Sequence, residues 1–505
     1  MSTPAAQYWI QPGEALWPRW IWLRALGLIF LSAFYSLAFQ ITGLIGPKGI
    51  LPAGDYLTEV HRAFGIAQGL WFAPTLFWIS ASNGMLLGVT FLGAVASVLL
   101  AFNVAPRICI AVAAVCFLSF IAAAQDFASY QSDGMLLEAA FISLFYAPRG
   151  LRPGLGVTDP PSRLPLLLLL WEWFRIYFES GVVKLLSGDV QWRTLTAMDH
   201  YYENGPLPTW IGWYFQQWLP HGFHAFTVVL ILVFELGVVW LAALPRRFRL
   251  TCFVLATVFQ MGIILTANYA FLNYIVLSLG ILLVDDRFLR LPAPRTEAKR
   301  TSWPARIALG LILYATLVLA PGISHWLPRP LFWPARVLEP FRIANRYGLF
   351  AVMTHERYEI EFQGTLDGQT WRTYPLSYKP QDPAKAPGIY APYQPRFEWN
   401  LWFASLGSWR QNLWVINSEE RLLRNEPSVT RLFANSPFPA EPPRQVRAMI
   451  WQYWFTDRAT KHKDGIWWRR ELIGLYAPAL ERLPDGRIVV TQSGIGVLEP
   501  RPPDR

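Results

Sequence analysis

Charge is what this sequence is shortest of. Only 15% of its 505 residues are Asp, Glu, Lys or Arg, against roughly 25% in ordinary soluble domains. Hydrophobic residues make up 53%, a balance that points to an integral membrane protein. Cysteine is also scarce. The three, Cys109, Cys116 and Cys252, lie in apolar segments. On one helix, rise alone separates Cys109 from Cys116 by roughly 10 Å, too far to pair. No CxxC exists, which excludes dithiol redox chemistry by the chain's own cysteines. No GxSxG, HExxH, P-loop or GxGxxG appears, so no soluble-type catalytic set is visible. His221 and His224 have metal-like spacing, but no Cys or further His is near them in sequence. Neither a metal site nor a cofactor is expected. The chain has no N-glycosylation sequon, no C-terminal retention tetrapeptide and no small-residue cleavage site after its first apolar run. The last absence argues against a cleavable signal, and the first two fit a bacterial chain, for which an inner-membrane location is expected, better than one from the eukaryotic secretory pathway.

What is present is a series of apolar runs between residues 20 and 320. Nine have span-like or nearly span-like length: 20–43, 84–103, 107–125, 135–147, 164–186, 223–244, 249–267, 270–284 and 303–321, the fourth and eighth being short. Stretch 64–80 is apolar but broken by Pro74, and reads as re-entrant or interfacial. The net charge of +10 gathers in alternate loops. Arg19 and Arg24 open the first span, and Arg107 follows the second. Arg149, Arg152 and Arg163 follow the fourth, and Arg246, Arg247 and Arg249 the sixth. Arg287, Arg290, Arg295, Lys299, Arg300 and Arg306 follow the eighth. The opposite loop 125–134 has no Lys or Arg. The positive-inside rule then puts the N-terminus in the cytoplasm and residues 322–505 outside it. With the excess charge setting orientation, nucleic acid is not an expected partner.

Residues 330–505 hold no long apolar run. Asp-Gly in GTLDGQTW (364–371), between RYEIEF and WRTYPLSY, signals a hairpin. Residues 397–406 and 418–434 read as helical, with Pro427 opening or breaking the second. Residues 445–455 and 465–476 read as a second, longer hairpin. The expected fold is a polytopic α-helical membrane domain of about nine spans (1–325), followed by a soluble, extracytoplasmic, β-rich α+β domain (326–505). That domain is rich in tryptophan: Trp399, Trp402, Trp409, Trp414, Trp451, Trp454, Trp467 and Trp468. They read as core or membrane-surface residues, or as an aromatic–Arg surface for a protein partner. The candidate partner-binding set is Asn345, Arg346, Tyr347, Trp399, Trp402, Trp467, Trp468 and Arg469.

The fifth span, WEWFRIYFESGVVKL (171–185), carries Glu172, Arg175, Glu179 and Lys184. The first three share one helical face, where Arg175 is able to reach both carboxylates. Lys184 lies off that face near the outer end, placed to snorkel. Glu138, Glu235, Gln260, Asn268 and Asn273 add polar groups to other spans. Two readings stand: a structural ion network, or a lined cavity or active site. A transporter would require repeats between halves, and none is visible.

The loop SGDVQWRTLTAMDHYYENGPLPTW (187–210), with Trp192, Arg193, Asp199 and Tyr202, resembles the lipase maturation factor family. So do FQMGIILTANYAFLN (259–273), FRIANRYGLFAVMT (341–354), IEFQGTLDGQTWRTYPLSYKP (360–380), APYQPRFEWNLWFASLG (391–407) and WWRRELIGLYAP (467–478). The resemblance spans nearly the whole chain. It implies a chaperone-like, membrane-anchored factor for maturation of secreted proteins, with lipases as clients and the bilayer as its medium. In animals the family acts in the endoplasmic reticulum membrane with its soluble domain in the lumen; a bacterial member would present a periplasmic domain. It implies no catalytic residue. ESGVVKLLSGDVQW (179–192) is more faintly similar to the vitamin K-dependent gamma-carboxylases and related transmembrane domains. That likeness implies the alternative of a membrane enzyme with Lys184 as general base.

Overall fold

The computed structural model describes residues 14–492 apart from 129, 295, 298 and 323–325. Arg295, counted above among the loop cations, falls outside the described residues. The first part of the chain is helical. Helices α1 (Leu16–Ile45), α2 (Ala53–Phe72), α3 (Asn83–Ala101), α4 (Pro106–Ala123), α5 (Gln131–Tyr146) and α6 (Arg163–Leu186) come first. Short helices α7 (Val190–Arg193) and α8 (Tyr201–Asn204) and the longer α9 (Trp210–Trp218) form the next loop. Helices α10 (His221–Leu236), α11 (Arg246–Thr266), α12 (Leu272–Gly280), α13 (Asp286–Leu289), α14 (Trp303–Val318) and α15 (Trp333–Leu338) follow.

Each apolar run predicted as a span is helical along most of its length. Among the described residues five helices are long and apolar enough to cross a membrane: Leu16–Ile45, Asn83–Ala101, Pro106–Ala123, His221–Ala243 and Arg246–Thr266. α12 with its continuation to Leu283, and α14, are apolar but shorter. α1 and α3 pack closely because Gly27 has no side chain: a Cβ there would lie 2.9 Å from the backbone of Ser97 and Ala101. α2 does not cross. It kinks at Gly65, whose φ of 72° suits glycine. Leu51, just before it, meets Gln125, and Thr75, just after it, donates to the Ser119 carbonyl, so both ends sit at the C-terminal end of α4.

The arginine-rich loops meet at one end. Asp159 takes Arg107 at 3.5 Å and Lys299, while Arg19 donates to its carbonyl at 2.8 Å. Asp285 takes Arg246 at 2.6 Å and Arg249 at 3.4 Å. Asp286 accepts the amides of Leu16 and Trp17 at the start of α1, where exposed helix N–H groups favour an anion.

The C-terminal part caps the opposite end. A six-stranded antiparallel sheet runs β2 (Arg372–Thr373), β1 (Arg357–Thr365), β3 (Gln445–Phe455), β5 (Ala479–Arg482), β6 (Ile488–Gln492), with β4 (Trp468–Leu475) also on β3. Helices α16 (Arg396–Ser405), α17 (Trp414–Leu423) and α18 (Pro427–Thr430) lie between β2 and β3, and α19 (Arg458–Asp464) links β3 to β4. Both predicted hairpins form, although β2 has only two residues. The second predicted helix starts at Trp414, not 418, and breaks before Pro427, which opens α18. One apolar core continues from the membrane helices into this unit, through Phe117, Phe127, Trp414, Phe397 and Phe362. A bidentate pair, Arg396 to Asp133 at 2.7 and 2.8 Å, pins α16 to α5. Asn268 pins the α11–α12 turn, donating to the Gly388 carbonyl and accepting from the Tyr390 amide.

Candidate functional site

Nothing in α6 alone accounts for its charges; a distant segment does. Residues 343–354, here termed the strap, have no helix or strand. They run across α5, α6 and the α6–α9 loop. A buried irregular backbone has to find its hydrogen-bond partners within the protein. The charged side chains supply them. Glu138 accepts the Asn345 amide at 2.9 Å and Arg175 donates to the Asn345 carbonyl at 2.7 Å. Glu179 accepts the Tyr347 amide at 2.8 Å, and Ser180 the Leu349 amide at 3.1 Å. Lys184 and Trp192 donate to the carbonyls of Leu349 and Phe350 at 3.0 and 3.1 Å. Asp189 accepts the Met353 amide at 2.7 Å, and Asn204 donates to the Thr354 carbonyl at 2.9 Å.

Inside this cradle the Tyr347 hydroxyl lies 2.9 Å from Glu138 and 3.3 Å from Glu172. Arg175 was expected to bridge Glu172 and Glu179 along its own helix. Its guanidinium instead turns to α5 and pairs with Glu138, staying 3.8 Å from Glu179. Glu172 is left to the tyrosine. The reason is the strap: Tyr347 fills the space over Arg175, its ring centre 4.9 Å from the guanidinium carbon.

Lys184 does not snorkel. It is 2% exposed and pairs with Glu235 of α10 at 2.9 and 3.0 Å. Gly181 allows this approach, since a Cβ there would lie 2.9 Å from that of Glu235. Trp192 covers the ammonium at 5.1 Å. The pair forms part of the wall of a cavity of about 210 Å³ bounded by α6, α10, α11, α12 and the strap. A second polar chain lines it: Asn273 donates to Gln260 at 2.8 Å, and Gln260 to the Tyr177 hydroxyl at 2.7 Å. Across the strap lies another cavity, of about 390 Å³, walled by Tyr130, Tyr201, Tyr269, Trp399 and Trp402. The predicted intramembrane polar residues thus fall into separate groups, Glu138–Glu172–Arg175–Glu179, Lys184–Glu235 and Gln260–Asn273, while Asn268 serves the C-terminal unit.

The loop motif is built around Lys184 and the first cavity. Trp192 and Tyr202 are buried and line it; Asp199 meets His221 at 3.0 Å, and Arg193 is exposed. The candidate partner surface needs correction. Tyr347, Trp399 and Trp468 are buried, at 1%, 7% and 1% exposure. Asn345 is bound to Glu138, Trp402 donates to the Asn204 carbonyl, and Trp467 meets Trp213 edge-to-face and lies under the Lys461 ammonium. Only Arg346 and Arg469 of that set are exposed. Aromatic content marked packing here: Trp399, Trp414 and Trp468 are buried, and Trp402, Trp409, Trp451, Trp454 and Trp467 are half-buried. Among the described residues no group of three or more His, Cys, Asp and Glu is placed to hold a metal. Sequence reasoning missed Ser180, Tyr177, Asp189 and Asn204, whose work depends on the strap or on another helix. It also missed the Asp133–Arg396 pair, for which a carboxylate at the edge of a predicted span was a usable signal.

The chain matches two family models in order. Residues 17–291 match the lipase maturation factor transmembrane domain and residues 343–478 the lipase maturation factor C-terminal domain. The second match starts at the first residue of the strap. Lipase maturation factor 1 of Bos taurus is 31% identical over 92% of this chain and 89% of its own length. Lipase maturation factor 2 of Mus musculus is 30% identical over 96% and 86%. Lipase maturation factor 1 of Homo sapiens is 29% identical over 92% and 87%. No solved structure matches. Helices α1 to α13, the strap and strands β1 to β4 fall within these matches almost entirely, and the chain belongs to the lipase maturation factor family.

Proposed function

We propose that this protein is a membrane-anchored maturation factor for secreted lipases, acting through its C-terminal unit (326–505) on the extracytoplasmic face of a nine-span anchor (1–325). The observation that carries this reading is the ordered match, over most of both chains, to proteins named lipase maturation factors. Convergence of the arginine-rich loops at one end, with the sheet at the other, supports an odd number of crossings. In a bacterium the membrane would be the inner membrane and the sheet periplasmic. The client face assigned here is the rim of the second cavity, where Val352 of the strap and Phe403 of α16 are 65% and 44% exposed.

The enzyme alternative is not favoured by the surroundings of Lys184. Glu235 and the carbonyls of Leu349 and Ser180 are all acceptors aimed at its amine. They suit an ammonium that keeps its protons, not a base that gives one up. The test is a comparison of secreted lipase activity and the secreted proteome in cells with and without the gene. Re-expression of a Val352→Asp variant should leave the defect largely unrepaired at normal protein abundance. Unchanged secreted lipase in the deletion strain would overturn the reading.

A further inference from the structure

The first cavity is not required by the maturation reading, and its shape and walls point to a ligand. On α10 its lining runs from Phe223 to Glu235, twelve residues and hence about 18 Å of helix. With a volume of about 210 Å³, it is long and narrow. Its two charged wall residues, Lys184 and Glu235, neutralise each other, so it offers a ligand apolar surface and no free charge. It also has a mouth. α10 packs on α6 and α11 on α12, and α10 and α11 scarcely touch above their turn at Val238–Ala243. The Phe234–Phe259 ring contact at 5.0 Å closes the cleft below. Beside it Val258, and above it Phe223 and Gly262, line the cavity and are also exposed. These two helices are among those long and apolar enough to cross the bilayer, so what lies outside the mouth is lipid. Helix α9 crosses the top, with Trp210 and Trp218 at 43% and 61% exposure, as aromatic side chains sit at a membrane–water interface.

We infer that this cavity is a binding site for one acyl chain of a bilayer lipid, entering sideways between α10 and α11 with its headgroup left at the level of α9. A water-filled pocket would be expected to present unpaired polar groups, whereas the polar side chains Lys184, Glu235, Gln260 and Asn273 are engaged with protein. A compact polar metabolite would find no free charge to hold it.

Gly262 makes the test direct. A Cβ built there meets nothing within 4 Å, so Gly262→Trp sets an indole in the mouth without a backbone clash. Gly310 on α14 is equally open and exposed but far from the cavity in the chain's packing, and Gly310→Trp is the matched control. Cells are fed a fatty acid carrying a photoactivatable diazirine and an alkyne, irradiated, and the full-length protein is purified and its labelled peptides mapped. The expected result is preferential labelling of Ile231, Ile263 and their neighbours. Gly262→Trp should reduce it about tenfold, the loss expected when contact the size of one buried apolar side chain is forfeited, with no reduction in Gly310→Trp. Should Gly262→Trp fail to accumulate, Val258→Trp blocks the same rim from a residue that lines the cavity and is 66% exposed. Labelling spread evenly over all outward helix faces, and indifferent to either blocking variant, would overturn the proposal. Lipase maturation is not the readout, so failure here leaves the maturation reading standing.

Discussion

At the residue scale, the informative pair is Lys184–Glu235. Removing one member leaves the other charged and buried, which costs about 3–5 kcal/mol, whereas replacing both with apolar groups is often close to neutral. Lys184→Met should therefore lower the melting temperature of the purified protein strongly, and Lys184→Met with Glu235→Met should recover most of the loss. A double variant no better than the single one would mean that Lys184 matters chiefly through the Leu349 carbonyl and the strap. Lys184→Arg should retain maturation activity, since a cation is what its surroundings ask for.

Glu398, on α16, offers a pH-dependent test outside the membrane helices. Burial pushes its carboxyl up to about 7, against the opposing pull of three amides, those of Ser377, Tyr378 and Lys379. Its folded pKa is raised, so the stability it contributes is complete below its unfolded value of about 4.5 and is lost as pH rises through about 7. Melting temperature should fall between pH 5 and pH 8, and Glu398→Gln should flatten that slope. The amide is a poorer acceptor for three donors, so the variant should also be about 1–3 kcal/mol less stable at the low-pH end. Parallel curves for the two proteins would mean another group governs the slope.

At the element scale, the long apolar helices were legible because a run of that length permits little else, and each predicted span boundary falls near a helix end. The second hairpin was legible through its alternating aromatics. The pair β5–β6 was missed although Pro484-Asp485-Gly486 carries the same turn signal as the first hairpin, with Gly486 at φ 84°. The strap was not legible at all as part of the site. It has no period of 2 or 3.6, and what places it is a set of acceptors and donors on helices that precede it by 150 residues or more. Tyr347 was consequently placed in the candidate partner set although it is core, and Trp468, for which core and partner surface both stood open, is core as well. A wedge tests the strap. A Cβ at Gly134 of α5 would lie 2.7 Å from the Asn345 side chain, so Gly134→Leu should lift the strap from α5. Limited proteolysis in native membranes should then cut within 342–354 in the variant and spare the parent. Equal protection in both would show that Glu179, Ser180 and Lys184 hold the strap unaided.

At the scale of the whole molecule, the charge rule and the folded arrangement agree on two ends, one rich in arginine held by Asp159 and Asp285, the other capped by the sheet. A reporter that works only outside the cytoplasm should be active when fused after residue 505 and silent when fused after Arg300. Activity of the Arg300 fusion would remove the nine-span arrangement.

The strap also sets an order of events. Helices α5 and α6 leave the ribosome between 165 and 207 residues before the segment whose amides and carbonyls occupy Glu138, Arg175, Glu179 and Lys184. During that interval the ion pairs Arg175–Glu138 and Lys184–Glu235 have both members in place, since α5, α6 and α10 precede the strap, but the strap amides and carbonyls that complete the cradle have not been made. The bundle is thus unfinished until residue 354 has been translated and drawn back into it. A ribosome that stops early leaves behind a bundle whose ion pairs are set but whose cradle lacks the hydrogen bonds of the strap.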